Sequence, residues 1–155
     1  MTLYLLSLFI NVYSIKLTKV LVHEWAHFRY GVFDEYPHKT LENNQEFYIN
    51  QEGEVEATRC TSSLGGQIRN ISDPNGKCTH FLSNGLPSND CNFEDDIVER
   101  DSTKNVGSLM YRPSLKHLTV FCDNDPEDPN TFHNKFAPTL QNKECNGRSV
   151  WEVSE

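Results

Sequence analysis

The sequence has no long apolar run. Its first 15 residues, MTLYLLSLFINVYSI, carry no charge, but they are too few for a clear membrane-spanning helix. The same stretch lacks the basic start and the small-x-small cleavage site of an ordinary signal peptide. Basic residues are also scarce. Lys and Arg total 14 against 22 Asp and Glu, for a formal net charge of −8. With no local Lys/Arg cluster to reverse that balance, nucleic acid is excluded as a partner. There is no internal repeat and no heptad, which excludes solenoids and coiled coils. No two cysteines are spaced CxxC, which argues against a zinc knuckle or a thioredoxin-type redox pair. Apart from the initiator, the only methionine is Met110.

What remains is a chain of 155 residues, one domain's worth, with 37% hydrophobic and 23% charged residues. This composition is somewhat polar but globular. The five cysteines, Cys60, Cys78, Cys91, Cys122 and Cys145, stand far apart in loop-like sequence. That spacing suits disulfides in an oxidising compartment, with one thiol left over. Asn70-Ile71-Ser72 is an N-glycosylation acceptor triplet, in keeping with a secreted or cell-surface location.

Residues 16–30, KLTKVLVHEWAHFRY, are predicted to be helical. Leu17, Val20, Leu21, Trp25 and Phe28 recur with helical periodicity, and Trp25 and Phe28 are expected to anchor the core. Gly31 stands where a left-handed helix cap is expected, and Pro37 blocks continuation. Beyond it, FYI at 47–49 reads as a short strand. Residues 60–92 read as a loop-rich segment, and 93–104 as a solvated charged face. VGSLMY and HLTVFC are the next candidates for buried order. The acidic loop 123–130 lacks the glycine and distal Glu of an EF-hand and reads as solvated.

The chemistry lies in His23-Glu24-Trp25-Ala26-His27. On a helix, positions i and i+4 share a face, so His23 and His27 can bind one zinc ion from the same side. Glu24 lies about 100° around the helix, where it can exchange a proton without ligating. Zinc so held acts as a Lewis acid and brings the pKa of water down towards ~7. A catalytic zinc takes three protein ligands, and Gly31 lets the chain reverse to offer a third. Asp34 suits that place, and Glu35 competes with it by one residue. Met110, in Ser108-Leu109-Met110-Tyr111, is the candidate for a tight methionine turn beneath the metal, against the plain alternative of a core methionine. His38, His80, His117 and His133 have no ligand spacing among themselves and are expected at the surface or in local hydrogen bonds.

LVHEWAHFRYGVFDEY, FYIN and the TRC of residues 58–60, with SLM at 108–110, Phe121-Cys122, LQNKEC at 140–145 and the closing SVWEV, resemble the calcium-activated chloride channel regulator family. The resemblance runs from about Lys19 to Trp151. It implies a self-cleaving, secreted or surface-attached zinc peptidase that raises chloride currents through a channel partner. It implies zinc ligation by His23, His27 and Asp34, Glu24 as general base, and Met110 as the turn beneath the metal. The expected fold is α+β: a zincin- or metzincin-like half-domain in which the zinc helix precedes an irregular, cysteine-containing, loop-rich region. Residues 1–15 are expected to be a signal-like or non-family start, and 16–155 a partial metallopeptidase domain. The family's zinc helix follows a sheet-bearing half, whereas only residues 1–15 precede Lys16. The expected substrate is a peptide or the parent chain. The runner-up is an inactive secreted fragment that binds a channel.

Overall fold

The computed structural model describes residues 17–37, 46–73, 76–96, 106–115 and 118–155. The apolar start, His38, His117 and residues 97–104 of the expected charged face lie outside the described residues.

Helix α1 covers residues 17–30. Its end follows from sequence: Gly31 adopts φ +67° and its N–H donates to the His27 carbonyl at 3.1 Å. This is the left-handed cap that a Cβ would strain. The face that α1 buries is not the predicted one. Lys19, His23 and Ala26 are buried, whereas Leu17, Leu21, Trp25 and Phe28 are exposed, Phe28 to 82%. Trp25 and Phe28 are therefore not core anchors. The buried stripe is the one that meets the segment around Met110, where backbone carbonyls satisfy its polar groups. Lys19 Nζ donates to the Leu115 carbonyl at 2.7 Å, and His23 Nδ1 to that of Leu109 at 2.9 Å. A polar stripe fully matched by carbonyl acceptors can be buried at little cost.

Two antiparallel ribbons follow. Strands β1 (Phe47–Ile49) and β2 (Val55–Ala57) pair with Phe47 opposite Ala57. Asn50 Oδ1 closes their turn by accepting from the N–H groups of Glu52 and Glu54. Strands β3 (Gly66–Asn70) and β4 (Cys91–Asp95) pair from Gly66–Asp95 to Asn70–Cys91. Gly66 is required there, because any Cβ would collide with the Phe93 ring and the Glu94 carbonyl. Strand β4 overturns part of the solvated-face expectation: Asp95 is packed in and pairs with Arg112 at 2.5 Å. The chain closes with helix α2 (Leu140–Glu144), capped by the Thr139 side chain, and helix α3 (Val150–Ser154). Ser149 and Glu152 form a reciprocal capping box on α3.

Among the described residues, apolar burial is divided among three small clusters. Ala26, Val32, Met110 and Val150 form one, joining α1, its exit, the Met110 turn and α3. Phe47, Ala57, Leu86 and Cys91 tie the two ribbons together. Cys60, Leu64, Tyr111 and Cys122 form the third. Cys78 and Cys91 are joined as a disulfide, while Cys60, Cys122 and Cys145 carry buried free thiols. Of the five disulfide candidates, one pair is thus joined and three are not. Among the described residues, no helix is long and apolar enough to cross a membrane.

The inverted helix face has a measurable consequence. Met110→Ala empties a fully buried site and is expected to cost about 2–5 kcal/mol. Phe28→Ser, on the exposed face, should shift stability by no more than about 0.5 kcal/mol. Chemical denaturation of the two variants checks both, and a larger loss from Phe28→Ser would contradict the exposed orientation.

Candidate metal centre

Three side chains converge where α1 ends. His23 Nε2 and His27 Nε2 are 3.2 Å apart, and each lies 3.3 Å from Asp34 Oδ1. Hydrogen bonding on the far side of each ring sets this arrangement. His23 Nδ1 meets the Leu109 carbonyl, and His27 Nδ1 meets the Val32 carbonyl at 2.7 Å. A carbonyl oxygen only accepts, so each Nδ1 must carry the proton. In the neutral rings, both Nε2 lone pairs then point at each other and at a carboxylate oxygen. Asp34 Oδ1 is buried and has no hydrogen-bond donor. Three acceptors facing one another repel unless a proton or a cation lies between them.

The spacing can be set against that of a tetrahedral metal site. Ligand atoms ~2.0–2.1 Å from a tetrahedral zinc lie ~3.3 Å from one another. The observed 3.2, 3.3 and 3.3 Å match three corners of such a tetrahedron. Two imidazoles and a carboxylate suit zinc, and the fourth corner has no protein ligand among the described residues. The residues present therefore fit the ion that the sequence implies.

Several neighbours hold the three in place. The Glu35 N–H donates to the Met110 carbonyl at 3.1 Å, which ties the exit of α1 to the same turn that anchors His23. That turn is pinned from inside, since Met110 N–H donates to Ser108 Oγ and the Met110 side chain packs on Ala26 and Val32. Met110 thus lies in a turn packed against the buried face of α1. The structure also separates the two candidate third ligands. Asp34 faces the histidines, while Glu35 turns away into a different buried cluster. Glu24 is exposed at the rim.

Two residues here escaped sequence reasoning. Tyr36 hydrogen-bonds to Asp34, and its phenol is pushed up to about 12 by burial, by that bond and by the negative charges of Asp34 and Glu24. It therefore stays protonated as a donor. Gln141 is fully buried. Its Oε1 accepts from the Phe33 N–H at 2.7 Å, its Nε2 donates to the Arg148 carbonyl at 3.1 Å, and its own N–H reaches the Asp34 carbonyl at 3.3 Å. It clamps the strap that carries Asp34. Neither residue has a spacing signal.

The other predicted positions lie elsewhere. Asn70, at the end of β3, is half-buried, and its Nδ2 donates to Asp90 Oδ2 at 3.2 Å. His80 is exposed beside Asp90. His133 is not at the surface but takes the other expected place, buried to 2% exposure with Nε2 2.6 Å from Asn142 Oδ1. The 123–130 loop folds its carboxylates onto its own N–H groups, as at Glu127 and Asn130.

Comparison with known proteins gives a consistent match. The family model described as "Calcium-activated chloride channel N terminal" matches residues 3–155. Mouse calcium-activated chloride channel regulator 2 is 38% identical over 146 residues, which is 87% of this chain and 13% of that protein. Human regulator 4 is 36% identical and bovine regulator 1 is 37% identical, each over 140 residues, 87% of this chain and 14% of theirs. The chain thus spans about one seventh of the length of these curated relatives. No solved structure matches it.

The Gln141 clamp can be tested at the metal. Gln141→Leu strips partners from the Phe33 N–H and the Arg148 carbonyl, at about 1–3 kcal/mol for each group left unpaired. By loosening Asp34 it should weaken zinc binding by about 10–100-fold, as the loss of a residue supporting a ligand does. Competition against a chromophoric chelator reads this directly, and unchanged affinity would remove Gln141 from the site.

Proposed function

This chain belongs to the calcium-activated chloride channel regulator family, and from that premise we propose that it carries the zinc centre of a metalloendopeptidase, with a peptide or its own parent chain as substrate. The observation that carries this reading is the convergence of His23 Nε2, His27 Nε2 and Asp34 Oδ1 at zinc spacing. The fold that goes with it is a zincin-like half-domain. When bound, zinc supplies a Lewis acid for the scissile carbonyl and acidifies water near neutral pH.

The chain's own residues do the rest. The Leu109 and Val32 carbonyls fix the imidazole tautomers, so both rings offer a lone pair at no cost in proton release. The Tyr36 phenol donates to Asp34 and holds its carboxylate towards the histidines. Glu24 stands on α1 between the two histidines and is open to solvent, so a peptide can approach it. Its carboxylate takes a proton from the attacking water and returns it to the leaving amine. The Cys78–Cys91 disulfide supports a secreted or cell-surface setting.

The exposed apolar face of α1 favours a second reading. Leu17, Leu21, Trp25 and Phe28 form a contiguous apolar surface of the kind that meets another protein. In that reading the domain acts by contact, for example with a chloride channel, and needs no turnover.

Glu24→Gln separates the two. The zinc-loaded chain, incubated with unstructured peptides and with a longer family chain, should show zinc-dependent cleavage, however slow. Glu24→Gln should lower it by about 10²–10⁴-fold while zinc stays bound. Cleavage indifferent to zinc or to Glu24 would refute the peptidase reading, and His27→Ala should abolish both binding and cleavage.

A further inference from the structure

A second group of metal-ligating side chains lies on the other side of the α1 exit. Glu35, Cys60 and Cys122 are all fully buried, and their ligand atoms lie within 4.8 Å of one another. His133 lies beside Glu35, with Nδ1 3.4 Å from Oε1 and both side chains nearly inaccessible to solvent.

The hydrogen bonding around this group leaves it incomplete. Asn142 Nδ2 donates to the Asn134 and Ala137 carbonyls, each at 2.8 Å, so its Oδ1 must face His133. His133 Nε2 lies 2.6 Å from that oxygen and must therefore donate to it. The neutral ring then turns the Nδ1 lone pair towards a carboxylate. Neither Glu35 oxygen nor His133 Nδ1 has a hydrogen-bond partner. Burial also pushes the Cys60 and Cys122 thiols up, so they do not ionise on their own. A buried carboxylate with no donor costs several kcal/mol in a medium that cannot solvate it.

The geometry points to a second, structural metal site in which Cys60, Cys122, Glu35 and His133 hold a zinc ion. Two thiolates, a carboxylate and a neutral imidazole form a closed four-ligand set of the kind structural zinc takes. Binding releases the two thiol protons to solvent and involves no oxidant or reductant. Glu35 Oε1 and His133 Nδ1, 3.4 Å apart, already span one edge of a zinc tetrahedron, and the ligand atoms of Glu35, Cys60 and Cys122 lie within 4.8 Å of one another. The Asn142 bond to Nε2 orients His133 as ligating histidines are oriented elsewhere. Glu35 follows Asp34 directly, so this ion would brace the strap that carries the third ligand of the first centre. The site does not depend on the peptidase reading, because its ligands are a different set.

Cobalt separates the two centres, since only this one has sulfur ligands. The whole chain is stripped with a chelator under reducing conditions and titrated with Co²⁺. A near-ultraviolet thiolate-to-cobalt band should develop. His27→Ala should keep it, and Cys122→Ser should lose it. Because Cys122→Ser removes a core side chain, the unmutated chain supplies the second measurement. Zinc should protect Cys60 and Cys122 from alkylation, mapped by mass spectrometry, and a chelator should release that protection. Absence of the thiolate band in the folded chain, protection indifferent to zinc, or a Cys60–Cys122 disulfide in protein from an oxidising compartment would each overturn the assignment. So would a Glu35–His133 ion pair that persists unchanged when zinc is added, read from the imidazole nitrogen shifts by NMR.

Discussion

Two backbone carbonyls determine what this chain can do. By accepting from the Nδ1 groups of His23 and His27, Leu109 and Val32 commit both imidazoles to one tautomer and one orientation. Everything near the α1 exit depends on where those carbonyls sit. The Val32 carbonyl is in place because Gly31 can take φ +67° and reverse the chain immediately after the helix. The Leu109 carbonyl is in place because the Met110 turn packs into the apolar cluster that holds Ala26 of α1. With both fixed, Asp34 Oδ1 becomes the third member of a set of facing acceptors, and a divalent cation is the simplest way to relieve them.

The same strap serves two directions. Asp34 and Glu35 are neighbours in sequence, yet their carboxylates point into separate clusters, one near the surface and one fully buried. The two side chains leave the strap in different directions, which a one-residue difference in spacing does not announce. Gln141 and Met110 hold the strap by its backbone, so neither carboxylate is needed to anchor it. Among the described residues, apolar burial is split among three small clusters rather than gathered in one core around the strap. Disulfide and metal cross-links are what small-cored domains use instead.

Much of the site was legible in the sequence, and less of the fold. H-E-x-x-H on a helix is a local pattern whose geometry follows from 3.6 residues per turn, and Gly31 with a carboxylate three residues on is equally local. The direction of α1's buried face was not legible. Hydrophobic periodicity finds the apolar stripe, but here the opposite, polar stripe is buried because carbonyls on a distant segment satisfy it. The burial of His133 and Gln141 was hidden for the same reason: their partners, Glu35 and Phe33, are about a hundred residues away. The capping box at Ser149 and Glu152 was readable and marks α3, although the surrounding sequence is half polar. Among the cysteines, Cys78 and Cys91 pair across the ribbon formed by the loop-rich segment, while Cys60 and Cys122 approach through a long-range fold that no spacing announces.

The central claim is that His23, His27 and Asp34 hold one zinc ion at the end of α1. An anomalous difference map collected at the zinc edge from crystals of the zinc-loaded chain tests it most directly. The account predicts a peak ~2.0–2.2 Å from His23 Nε2, His27 Nε2 and Asp34 Oδ1, with Nδ1 of both rings still on the Leu109 and Val32 carbonyls. A map with no peak among these three atoms, or one in which Glu35 replaces Asp34 beside the histidines, would contradict it.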